Sequence, residues 1–212
     1  RMLAQNLAMQ DLMMLQAFGQ ERIAAGQASM TYTPSDKGTI LAEVDPASRA
    51  NAKTVMAAFE TALKDKQLAT NDVADCHALG GVLGYYGYWG EDPGPQRLQK
   101  LSAQSRAVLL PDLAFQGMAD YRRQRYCERV AFMAMLSAAA RNEAQRLPPG
   151  PEQEALIRRA RHAASAALNL DPAVDRLSFL GEGRGQLLWR SFSASPTGVS
   201  TYAPECASNC RI

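Results

Sequence analysis

Chemistry needs ionisable or nucleophilic side chains held close together, and this sequence concentrates them in "ATNDVADCHALGGVLGYYGYWGED", residues 69–92. Asp72 and Asp75 are three residues apart, a spacing that puts two carboxylates on one helix face, where a pair can do acid–base work or hold a cation. Their place just after Asn71, at the head of an apolar run, has a simpler explanation. Asn71 is the expected cap of a helix, with Asp72 as a second cap candidate and Asp75 in the first turn, where exposed N–H groups favour carboxylates. A calcium loop needs several more oxygen ligands nearby, and the run turns apolar at once. Cys76 and His77 are neighbours, so on a helix they project about 100° apart and form no natural chelate. His77 and His162 are the only histidines, few for a zinc site that takes three protein ligands. No metal and no cofactor is expected.

The second chemical candidate is "YYGYWGED", which ends in Glu91 and Asp92. Helical enzymes that cleave peptidoglycan use a glutamate acid in an aromatic-lined cleft. Glu91 with Tyr85, Tyr86, Tyr88 and Trp89 fits that description, which makes a glycoside hydrolase the alternative reading. No second positioned polar motif follows, and an acid on a loop is ordinarily solvated. The preferred reading assigns no catalytic residue and treats the four aromatics as partner contacts on a loop.

Nucleophile motifs add little. No Gly-x-Ser-x-Gly elbow is present. Cys127 sits in "RRQRYCERV", where arginines can lower a thiol's pKa, but Val130, Met133 and Met135 place it more naturally in a core. "GEGRG" at 181–185 lacks the lysine and Ser/Thr of a phosphate loop and follows no strand.

Four cysteines, Cys76, Cys127, Cys206 and Cys210, allow two disulfides in three connectivities. Cys206 and Cys210 share a Pro/Ser/Asn-rich tail in which they can close a small loop. A bridge from Cys76 to Cys127 would tie two helices together; the alternative is a pair of core thiols. Disulfides imply an oxidising compartment, hence a periplasmic or extracellular protein. The chain begins with Arg1, so a signal peptide is expected to have been removed.

The segments that carry these groups are expected to be helical. Ala, Leu and Met dominate the apolar content and β-branched residues are thin, which favours helix over sheet. Residues 1–25 read as one Met-rich helix stopped by Gly26. "GQASMTYTPSDKGTI" reads as a strap. Asp45-Pro46 starts a helix that runs to about Lys66. The helix from Asn71 carries Gly80, Gly81 and Gly84, so either a neighbour comes close or the helix breaks near Tyr85. Further helices are expected over about 96–109, with Leu98, Leu101 and Val108 inward, and over 113–146, bent at Gly117. A last helix covers 151–169. The basic groups around Arg122, Arg123 and Arg125, and around Arg158, Arg159 and Arg161, read as solvated faces.

The domain expectation is an N-terminal helical arm (1–29), a helical bundle (30–182) and an irregular C-terminal tail (183–212). Leu187, Leu188, Trp189 and Phe192 in the tail are further partner contacts. The fold class is all-α, a bundle of about five helices plus the arm and tail. A net charge of +2 gives no case for nucleic acid, and no apolar run reaches the roughly 18 residues of a membrane span.

The order of features also carries a resemblance. "YTPS" at 32–35, "NDVAD" at 71–75, "LQKLSAQSRAVLL" and a closing "AASAALNLDPAVDRLSF" resemble a family of bacterial proteins known as a domain of unknown function. Its members carry "DNVADAYA"-like and "LGLDLDRMxL"-like segments, usually behind a signal peptide. The resemblance covers roughly residues 30–182 and implies export and a helical fold. It implies no activity, so no catalytic residue transfers. Cys76 and His77 after "NDVAD", and the cysteine-bearing tail, depart from the pattern. The expected function is that of a non-enzymatic, exported accessory subunit of a cell-envelope or surface assembly, working by contact with other protein subunits, a second copy of itself among them.

Overall fold

A computed structural model describes residues 2–168, with side chains from Met9 onward. Helix α1 (Met2–Ala24) stops where the sequence says it should. Gly26 takes a left-handed φ of 69°, and the N–H groups of Gly26 and Gln27 close back on Ile23 O and Arg22 O. A strap leads to two single-turn 3₁₀ segments, Ile40–Ala42 and Pro46–Ser48. Asp45 caps the second by accepting from the Ala47 N–H at 3.2 Å. The chain runs from there into α2 (Arg49–Asp65), which buries Ala52, Phe59 and Leu63.

The other helices are α3 (Val73–Trp89), α4 (Pro95–Leu109), α5 (Leu113–Gln116), α6 (Asp120–Arg146) and α7 (Pro151–Ala167). Helix α3 is the axis of the bundle, with α4, α6 and α7 packed around it. It is buried on nearly every side, from Val73 and Ala74 through Leu79 to Tyr85 and Gly87, the pattern of a central helix. Helix α6 runs parallel to it: Tyr126 meets His77, Val130 meets Gly80, Ser137 meets Gly87 and Arg141 meets Gly90. Helix α7 returns antiparallel, with the Ser137 hydroxyl donating to Ala160 O at 2.7 Å.

Of the two alternatives for the α3 glycines, close approach holds: the helix continues past Tyr85 to Trp89, and Gly90 at φ 78° ends it. The glycines pay for close approach: a Cβ on Gly80 would overlap Val130, and one on Gly87 would overlap Ser137 Oγ and sit 3.1 Å from that residue's carbonyl carbon. "YYGYW" is therefore helix, not loop. The 113–146 segment is two helices. Asp112 caps the one-turn α5 through Phe115 N–H at 2.7 Å. The chain then breaks at Gly117, where α1 crosses so tightly that a Cβ would overlap the Leu15 carbonyl. On α4 it is Leu109, not Val108, that faces inward.

Candidate functional site

Asp72, not Asn71, caps α3: its Oδ1 accepts from the N–H groups of Ala74 at 2.9 Å and Asp75 at 3.1 Å. Asn71 serves the strap instead. Its Nδ2 donates to Tyr32 O at 3.0 Å, Tyr32 N–H donates to Asn71 O, and Val73 N–H donates to Met30 O, which makes a short antiparallel bridge. Asp75 accepts from Ser102 Oγ at 2.5 Å and Ala69 N–H at 3.0 Å. Arg106 of α4 spans both carboxylates, to Asp72 at 2.7 Å and Asp75 at 2.8 Å. Burial disfavours the Arg106 cation, but the hydrogen bonds and charges of Asp72 and Asp75 outweigh it and raise its pKa. The two acids thus join strap, α3 and α4, and their lone pairs are engaged.

The strap is fastened along one face of α6, a role the sequence reading missed. Asp120 accepts from Thr33 N–H at 2.9 Å, Gln124 from Ser35 N–H at 2.8 Å, and Glu128 from Ile40 N–H at 2.7 Å. Arg123, expected on a solvated face, is 1% exposed. It donates to the carbonyls of Ser29, Thr31, Phe115 and Gln116 at 3.0–3.3 Å. Burial, with Arg22 nearby, lowers its pKa to about 10, so it remains a cation at neutral pH. The available signal was the 120/123/124/128 spacing of hydrogen-bonding side chains, which falls on one helical face.

The aromatic group is absorbed into the bundle rather than presented on a loop. Tyr85 is buried and its hydroxyl donates to Glu91 at 3.4 Å. The Tyr86 hydroxyl donates to Asn142 at 2.5 Å and to Gln145 at 3.0 Å on α6. Tyr88 lies against Trp89 with ring centroids 4.9 Å apart and beneath the Arg161 guanidinium. Arg141 is buried and donates to the carbonyls of Gly87 and Tyr88. Glu91 is exposed, and Asp92 accepts from Gly94 N–H at 2.8 Å in the turn that follows.

Cys76 and Cys127 both lie in the core, 0% and 4% exposed, as free thiols. Burial pushes the Cys76 thiol up, and the neighbouring Cys127 pushes the same way. The Tyr32 phenol, its pKa raised first by burial and then by these thiols, donates to Thr70 O at 3.4 Å. Beside them His77 Nδ1 meets the Tyr126 hydroxyl at 2.5 Å, and burial lowers the histidine pKa to about 4. His162 is exposed on α7. Cys206, Cys210, Leu187, Leu188, Trp189 and Phe192 lie outside the described residues.

What stays open on the surface is α1. Gly19 packs on Leu113 of α5, and the Arg22 guanidinium donates to Gln116 O at 3.2 Å. Four large apolar side chains of the helix are exposed, Met9 62%, Met13 64%, Met14 58% and Phe18 52%, beside the exposed Gln10, Asp11, Gln16 and Gln20. Asp11 is the single charged residue between Met2 and Gln20. No described helix is long and apolar enough to cross a membrane.

These observations define an all-helical bundle whose interior polar groups fasten a strap and three helix ends, and whose N-terminal helix rides on the outside. The chain belongs to a family of unknown function (DUF6683), whose family model matches residues 4–184, arm and bundle alike. No curated protein and no solved structure matches the chain.

Proposed function

We propose that this protein is an exported, non-enzymatic accessory subunit that works by binding other protein subunits, a second copy among them, in a cell-envelope or surface assembly. The observation that carries the reading is the α1 surface. Three methionines and a phenylalanine, each more than half exposed, share a helix with one charge over most of its length. Isolated exposed apolar residues are common, but a contiguous group of this kind marks a contact surface. Methionine suits it, since its flexible thioether adapts to a partner's shape. The interior supports the same reading, because Asp72, Asp75 and Arg106 already satisfy one another, and Arg123 and Arg141 are held by backbone carbonyls. Export rests on the cysteine content and on the resemblance drawn from the sequence.

Light scattering after size exclusion, with crosslinks mapped by mass spectrometry, tests it on the full chain and on a Met13→Glu/Phe18→Glu variant. The expected result is an assembly whose crosslinks map to α1 and which the variant loses while keeping its helical circular dichroism. A full chain that stays monomeric and yields no crosslink through α1 refutes the reading.

A further inference from the structure

We infer that Cys76 and Cys127 are the two halves of an inter-helix disulfide, closed by exchange with an oxidising disulfide while the chain folds. The inference rests on the α3–α6 register, not on the binding role proposed above. Two contacts bracket that register: His77 on Tyr126 at 2.5 Å, and Gly80 against Val130. Cys76 precedes His77 and Cys127 follows Tyr126, so parallel helices in this register turn the two side chains to the same side of the α3–α6 seam, where both are buried in one core cluster. A disulfide requires Cα atoms about 4.4–6.8 Å apart. A Cβ on Gly80 would lie 3.6 Å from Val130 Cβ, within the roughly 3.5–4.5 Å between Cβ atoms that a disulfide spans, so about one turn from the pair the helices approach closely enough.

Other uses of the pair fit less well. Among the described residues no group of three or more His, Cys, Asp or Glu is placed to hold a metal ion. A lone nucleophile needs exposure, and these thiols are 0% and 4% exposed.

The reaction balances with a disulfide oxidant, RSSR. One cysteine, as thiolate, attacks an RSSR sulfur; a mixed disulfide forms and RS⁻ leaves and takes up the proton. The second thiolate attacks the cysteine sulfur of the mixed disulfide, the Cys76–Cys127 bond forms, and a second RSH departs. The two cysteines lose two electrons and two protons, and the oxidant is reduced to two thiols. Because α3 and α6 enclose both sulfurs, exchange takes place before the helices close, and the finished bond is then shielded from reductant.

The test uses the full chain carrying Cys206→Ser and Cys210→Ser, so that two thiols remain. The protein is refolded with reduced and oxidised glutathione, then unfolded and alkylated without reductant. The expected product has a mass lower by two hydrogens, takes up no alkyl group and yields a Cys76–Cys127 linked peptide. Its unfolding midpoint is higher than that of the reduced form, and dithiothreitol opens the bond only when the protein is unfolded. Complete alkylation of both cysteines in a helical, refolded product overturns the inference. If that variant does not refold, peptide mapping of the unaltered chain after the same oxidation decides. A 76–127 link is expected, and full alkylation of both, or bridges from either to Cys206 or Cys210, overturns it.

Discussion

Asp75 offers the sharpest test of how the bundle is held. Alanine there removes a carboxylate that accepts from Ser102 Oγ, Ala69 N–H and Arg106 Nη2. Ser102 is buried, so its hydroxyl loses its partner without gaining water. Removing one member of a buried charge pair costs about 3–5 kcal/mol. Arg106 is 37% exposed, and solvent screens part of that loss. The expected cost is about 2–4 kcal/mol, since hydrogen bonds to charged groups contribute about 1.5–3 kcal/mol each and one donor here is half-solvated. For a chain of this size that is a fall in melting temperature of roughly 5–15 °C. Urea unfolding followed by circular dichroism reads it directly. Asp75→Asn keeps one acceptor oxygen, enough for Ser102 Oγ or Ala69 N–H but not both, and loses the charge, so it should lose less than Asp75→Ala but still more than about 1 kcal/mol. An Asp75→Ala protein that loses less than about 1 kcal/mol, with an unchanged denaturant slope, would show that the carboxylate does not join α3 to α4.

Three further outcomes follow from the geometry. Gly87→Ala drives a methyl group into Ser137, so chemical denaturation should register a loss of about 1–3 kcal/mol where an exposed helix site would gain from alanine. Gln67 sits at φ 59° just past α2, where Leu68 N–H reaches Leu63 O; Gln67→Gly should raise stability by about 1 kcal/mol, measured by urea midpoint. Burial holds the His77 pKa at about 4. An unfolded histidine titrates near 6.5, so between these values the unfolded chain binds the extra proton, and stability present above pH 6.5 is lost as pH falls toward 4. The full shift corresponds to about 3 kcal/mol, and partial exposure of the ring reduces the expectation to roughly 1–2 kcal/mol. Stability profiles of the native chain and His77→Gln should converge toward pH 4; parallel profiles would refute the burial argument.

Much of the secondary structure was legible because its signals are local. Gly26, Asp45-Pro46, "GEDPGP" and "PPGP" act within a turn of themselves, and each stands at a helix boundary. The apolar stripe of α2 and the all-helical class follow from spacing and composition in the same way. The acids of "NDVAD" were also readable as structural groups, since a helix N-terminus attracts carboxylates wherever it lies.

The choice of Asp72 over Asn71 as the cap was not readable. Both are short acceptors, and the strap decides between them by engaging Asn71 and the Val73 N–H. Arg123 looks solvated in its own neighbourhood and becomes buried only because carbonyls from residues 29 and 31, more than ninety positions away, arrive at its guanidinium. The continuation of α3 through its glycines depends on α6, and the break at Gly117 depends on α1. Propensity, capping and periodicity are properties of neighbours along the chain, and the sequence alone determined what they control. Which faces meet is set by packing between distant segments, and that packing alone puts Cys76 and Cys127 on one seam and leaves Met9, Met13 and Met14 of α1 outside.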